Sequence, residues 1–104
     1  MNLLEKKQSV SLSSVAVASS ELVSANLDGE VVILGFKSGA YYSLDQVGGF
    51  VWDLLQEPQK VSDIRDTIFE EYDVELAQCE RDLLALLETL ANKQLIDIKN
   101  EPTS

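Results

Sequence analysis

At 104 residues and 11.5 kDa, with 45% apolar and 25% charged residues, the chain has room for one small globular core, which excludes two domains and a fibrous or low-complexity architecture. Its 18 acidic residues against 8 basic ones and no His leave a net charge of -10, so the average surface repels nucleic-acid phosphates. The single cysteine, Cys79, excludes an internal disulfide and lacks the Cys and His partners of a structural zinc site. The longest apolar runs, such as Val31 to Leu34, fall far short of the ~20 residues that span a bilayer. Met1 to Lys7 carries Glu5, Lys6 and Lys7 and leads into serines rather than an apolar block, so no signal peptide is read there. An intracellular, cytoplasmic protein is expected.

Along the chain, residues 1–21 are the least readable. Serines interrupt Val10, Leu12, Val15 and Val17 in an alternation that fits a short edge strand or a loosely attached arm. Leu22 to Leu27 and Glu30 to Phe36 favour strands, and Asp28-Gly29 between them is a two-residue hairpin signal. A calcium loop at Asp28-Gly29-Glu30 lacks its further oxygen ligands. Lys37-Ser38-Gly39 supplies a second turn before the aromatic strand Ala40 to Leu44, completing a three-stranded antiparallel meander.

Three helices are expected next. Asp45 caps the first, with Val47, Phe50, Val51, Leu54 and Leu55 at helical spacing until Glu57-Pro58. Gly48-Gly49 in its first turns costs about 1 kcal/mol per glycine relative to alanine, which predicts close approach of another backbone. Ser62 is expected to cap the second helix, whose buried stripe is Ile64, Ile68 and Phe69. The third runs from Leu76 to Gln94, and Leu95-Ile96-Asp97-Ile98 alternates as a last short strand. On a helical wheel the apolar residues of the third helix cover roughly 180°, where one core contact needs about 100°. Two readings fit: the helix is wedged between neighbours, or one apolar edge is an open groove for a partner.

The usual catalytic constellations are absent. There is no His, no Gly-rich phosphate loop and no partner for Cys79, which reads as a small apolar residue, while Glu70, Glu71 and Asp73 read as a solvated face. No enzyme, cofactor or metal is expected. Sheet followed by three helices gives an α+β, winged helix-turn-helix-like order, yet the helix that would enter DNA presents Glu80, Asp82 and Glu88 against Arg81.

The joint order of these motifs carries a resemblance. Asp28-Gly29-Glu30-Val31-Val32-Ile33-Leu34, Ser38-Gly39-x-Tyr41-Tyr42-x-Leu44, and Val47-Gly48 leading to Val51-Trp52-x-Leu54-Leu55 are similar to the PqqD-like family. Its members are the recognition elements of ribosomally made, post-translationally modified precursor peptides. Ile64, Ile68, Glu71-Tyr72-Asp73-Val74 and Cys79-Glu80-Arg81-Asp82-Leu83-x-x-Leu86-Leu87-x-x-Leu90 continue the pattern. The likeness spans residues 22–98 and leaves an N-terminal arm, residues 1–21, and a tail, residues 99–104. Gln94 stands where the family often ends the third helix with glycine, and Glu75 where a better N-cap is common.

The resemblance implies a non-catalytic module that binds the leader of a precursor peptide. The leader adds as a strand along Ala40, Tyr41, Tyr42, Ser43 and Leu44 and lies against a flank of the third helix at Cys79, Asp82, Leu83, Leu86 and Leu90. A separate enzyme, a leader peptidase of the lasso-peptide type or a radical S-adenosylmethionine enzyme, then acts on it. The competing readings are an acidic winged-helix transcriptional regulator and a structural subunit of an enzyme complex. An open third strand also pairs with its own copy, so monomer and strand-paired dimer both stay open. The acidic balance predicts a partner with a complementary basic patch. Stopped-flow association should therefore slow as ionic strength rises, and a rate independent of salt would contradict it.

Overall fold

A computed structural model describes residues 9–36 and 39–100. In chain order its elements are β1 (Val15–Ala18), β2 (Leu22–Leu27), β3 (Glu30–Gly35), β4 (Tyr41–Leu44), α1 (Gln46–Leu54), β5 (Gln59–Lys60), α2 (Val61–Glu71), α3 (Leu76–Asn92) and β6 (Ile96–Lys99). Antiparallel strands precede three helices, as the α+β, winged-helix-like reading expects. The strands form two sheets, β2-β3-β4 and β5-β1-β6.

The first sheet follows from local chemistry. Asp28 and Gly29 both adopt positive φ, 53° and 85°, the geometry that lets two residues reverse a right-twisted pair of strands. At the second turn, Gly39 (φ 68°) and Ala40 together oppose Gly35. The Gly39 N–H donates to the Gly35 carbonyl at 3.0 Å, while the Gly35 N–H donates to the Ala40 carbonyl at 2.9 Å. This two-against-one arrangement is a β-bulge that needs a left-handed residue at its first position. Lys37 and Ser38 of this turn lie outside the described residues, as do Met1 to Gln8.

The serine-rich N-terminal stretch, read as either a short edge strand or a loosely attached arm, supplies a strand of the second sheet that is inner rather than edge. β1 is the centre of that sheet: Val15 pairs with Lys60 on one side and with Lys99 on the other, and Ala16 is fully buried. Ala16 thereby joins the shared hydrophobic core. The same stretch corrects the cap of α2. Ser62 lies inside that helix, whose N-cap Lys60 makes no side-chain cap bond. Main-chain carbonyls from the N-terminal segment serve instead: Val61 N–H donates to Ser14 at 2.9 Å and Ser62 N–H to Leu12 at 3.0 Å.

Asp45 does cap α1, its Oδ1 accepting from Gly48 N–H at 2.8 Å. Side chains, not another backbone, explain the glycines that follow. A Cβ at Gly48 would meet Leu44 at 3.1 Å, and one at Gly49 would meet Val31 Cγ2 at 3.1 Å, so both residues let α1 settle on the sheet. α3 ends two residues before Gln94. Gln94 takes the left-handed role of the missing glycine (φ 62°), and Leu95 N–H then donates to the Leu90 carbonyl at 2.9 Å.

The core joins both sheets and all three helices through residues such as Ile33, Leu55, Ile64, Leu87 and Leu95. Phe50 and Tyr72 meet edge-to-face, with ring centroids 5.5 Å apart. Arg65 ties α2 to α3, donating to Glu80 at 2.8 Å while also pairing with Asp66 at 2.9 Å. These contacts, the Glu80 bond first, push its pKa up. Among the described residues no helix is long and apolar enough to cross a membrane.

Ser14 anchors the N-terminal segment. Its buried hydroxyl donates to Asn100 Oδ1 and accepts the Ser11 N–H at 3.0 Å. Ser14→Ala removes both bonds, and because Ser11 and Asn100 are exposed and can turn to water the cost should be about 0.5–1.5 kcal/mol. Urea unfolding checks it: a lower midpoint with an unchanged slope is expected.

Candidate functional site

β4 is bonded to β3 on one side and, among the described residues, carries no strand on the other. The bond from Gly35 to Ala40 sets the parity of this ladder. In an antiparallel pair, directly opposed residues alternate between exchanging both hydrogen bonds and exchanging neither. With Ile33 opposite Tyr42 and Val31 opposite Leu44, the main chains of Tyr42 and Leu44 turn toward β3. Those of Tyr41 and Ser43 consequently aim their N–H and C=O groups at the open edge.

Side chains alternate on the same period. Tyr42 and Leu44 face the helices, half-buried and buried, whereas Tyr41 and Ser43 are exposed. This resolves the pair of tyrosines that the sequence left open: Tyr42 lines the groove and Tyr41 stands outside it. Lys93, just past the end of α3, places its Nζ 5.8 Å from the centre of the Tyr42 ring, a cation–π contact.

Beside the open edge runs a cavity of about 540 Å³. One wall is Tyr42, Ser43 and Leu44 of β4, and the facing wall is Gln78, Cys79, Asp82, Leu83 and Leu86 of α3. Residues 79, 82, 83 and 86 share a wall because helical neighbours three and four apart lie on one face. The start of α1 closes one end with Asp45, Val47, Gly48 and Val51, and Ile68 and Val74 contribute from behind. The lining is mostly apolar, and its charged side chains are Asp45 and Asp82. Both are already engaged: Asp45 caps α1, and Asp82 Oδ1 accepts from Gln78 Nε2 at 2.9 Å. Burial pushes the Cys79 thiol up from its ordinary pKa, and the Asp82 and Glu80 carboxylates add to that rise while Arg65 opposes it. Such a thiol is a poor nucleophile at neutral pH. Among the described residues no group of three or more Cys, Asp or Glu side chains is placed to hold a metal ion.

Of the residues singled out from sequence, Tyr42, Ser43, Leu44, Cys79, Asp82, Leu83 and Leu86 converge on this groove. Ala40 and Tyr41 belong to the approach and edge of the strand rather than to the cavity wall. Leu90 is a correction: it is fully buried in the core and does not line the groove. The helical wheel treats a flank as continuous along the helix, but the chain turns back at Gln94 and covers that flank one turn after Leu86. The α1 residues, Ile68, Val74 and Gln78 were missed. Gln78 was detectable as the residue four before Asp82 on the same face, and Val47, Gly48 and Val51 lay within the quoted motifs. Ile68 and Val74 reach the site only through packing of other segments.

The family profile for PqqD, described as coenzyme PQQ synthesis protein D, matches residues 30–96. The solved structure of TbiB1 in complex with the TbiA(beta) leader peptide is 43% identical and superposes with a TM-score of 0.71, over 78% of this chain and 94% of that one. Lasso peptide synthetase B1 complexed with the leader peptide is 26% identical, with a TM-score of 0.68 over 79% and 96% of the two chains. No curated protein matches the sequence. The open-edged strand beside an apolar groove thus sits within a chain whose sequence and fold both match one family: this protein belongs to the PqqD family of precursor-peptide recognition elements.

Proposed function

We propose that the protein captures the leader of a ribosomally synthesised precursor peptide as a fourth strand on β4 and presents it to a separate tailoring enzyme. The observation that carries this reading is the pairing of two complementary features. Outward main-chain groups at Tyr41 and Ser43 supply sequence-independent hydrogen bonds, and the adjoining groove receives alternate side chains of the added strand. The two structures matched above were each solved with a leader peptide bound, which supports the same reading. Both partner classes implied by the resemblance, a leader peptidase of the lasso-peptide type and a radical S-adenosylmethionine enzyme, fit such delivery, and the similarity to a lasso peptide synthetase B1 favours the peptidase. The protein raises the local concentration of substrate and performs no bond-making step itself. We place this activity in a reducing cytoplasm.

Hydrogen exchange read residue by residue tests the geometry. A synthetic leader peptide from a neighbouring short reading frame should slow exchange at the Tyr41 and Ser43 amides. The Tyr42 and Leu44 amides, already bonded to β3, should be protected beforehand. Proline at an outward-facing edge position removes a donor without breaking the existing ladder. Ser43→Pro should therefore weaken leader binding about tenfold, the worth of one main-chain bond of ~1–1.5 kcal/mol. Binding of duplex DNA, with no response to any leader, would instead support the regulator reading.

Cys79 supplies an independent probe. Its raised pKa leaves less thiolate at neutral pH, so iodoacetamide should modify it more slowly than a free cysteine, with the rate rising as pH climbs. A leader in the groove should slow the reaction further.

A further inference from the structure

The sheet β2-β3-β4 packs its inner face, including Val31, Ile33 and Leu44, against the remainder of the chain. Register carries a different set to the outer face. Val23 opposes Leu34, Ala25 opposes Val32, Leu27 opposes Glu30, and Leu34 also opposes Tyr41 on the other side. Phe36 continues the set, because its N–H donates to Glu21 in phase with that ladder. Val23, Leu27, Leu34, Phe36 and Tyr41 are exposed to between 40% at Leu34 and 68% at Tyr41. Every residue of β2 after Leu22 is exposed, so no described part of the chain covers this side. Scattered exposed apolar residues are ordinary, but a contiguous set on one sheet face marks an interaction surface.

The structure assigns this outer face as the docking surface for the tailoring enzyme that receives the bound peptide, an assignment that rests on the delivery function proposed above. Charge argues against a second copy as the occupant. Asp28 and Glu30 at the hairpin end of the face are acidic, and each copy carries a net charge of -10, so self-docking brings like charges together. The complementary partner offers an apolar patch flanked by Lys or Arg. Continuity with the peptide site argues in the same direction. Tyr41 turns its main chain to the open edge and its ring to the outer face, so a strand added on β4 extends that face by one strand. An enzyme seated there contacts the protein and alternate side chains of the captured peptide together. The groove opens on the opposite side of the sheet, so both surfaces are occupied at once.

The test uses the double variant Val23→Thr/Leu34→Lys, which alters exposed positions away from the groove. A leader peptidase and a radical S-adenosylmethionine enzyme from the same gene neighbourhood are purified and each titrated by calorimetry with the wild-type protein, with and without a synthetic leader. One enzyme should bind, and the variant should weaken that association at least about tenfold. Leader affinity, followed by fluorescence anisotropy, should stay within about twofold. Unchanged enzyme affinity in a variant that still binds leader overturns the assignment, as does binding of neither enzyme by leader-competent protein. So does a wild-type dimer in sedimentation that the variant abolishes, which would seat a second copy on this face. A wild-type protein that binds no leader overturns the delivery function itself and this assignment with it.

Discussion

The main-chain bonds between Gly35 and the Gly39-Ala40 bulge decide which half of β4 is available to anything outside the fold. Strand side chains and hydrogen-bonding groups both alternate with period two, so a slip of one residue would exchange the roles of Tyr41 and Tyr42 and of Ser43 and Leu44. Tyr42 and Leu44 would then lose the groove, and the outward amides would belong to residues whose side chains must be buried. Gly39 permits the left-handed backbone that absorbs the extra residue at this turn. The geometry of the groove and of the outer face both descend from that register.

α3 shows why an over-wide apolar stripe is informative. Leu83, Leu87 and Leu90 face the core, while Cys79, Leu83 and Leu86 border the cavity, so the stripe serves a wedge and a groove at the same time. The two readings of the wheel are not exclusive, because the helix is covered along part of its length only. Near its N-terminal half β4 stands away from it, and beyond Leu86 the returning chain closes over it. A helix packed on one core would have little use for apolar side chains at both Cys79 and Leu86.

One three-stranded sheet thus presents surfaces of different chemistry. Its inner face is core, its β4 edge carries no further strand among the described residues, and its outer face is apolar with Asp28 and Glu30 at the β2–β3 hairpin end. Edge strands of this kind are a liability in a protein with no use for them. The net charge of -10 opposes self-association while leaving the edge open to a peptide, whose backbone bonds carry no net charge. Arg65, bonded to Glu80 and Asp66, keeps α2 and α3 together behind the cavity, and the carbonyls of Leu12 and Ser14 hold the start of α2.

What the sequence by itself determined was local. Asp28-Gly29 specifies its hairpin because few residues tolerate two successive positive φ angles, and Asp45 marks the start of α1 because its carboxylate reaches Gly48 three residues away. The period of α3 placed Cys79, Asp82, Leu83 and Leu86 on one face for the same short-range reason. Only the tertiary structure decided the rest. Val15 finds Lys60 and Lys99 across long stretches of chain, so nothing in its own neighbourhood marks β1 as a central strand. Ser62 looks like a cap until main-chain carbonyls from residues 12 and 14 occupy that role. Leu90 continues the groove flank on a wheel, yet the chain folding back at Gln94 buries it. Periodicity reports which side of an element is apolar, whereas only the packing of distant segments determines what covers that side.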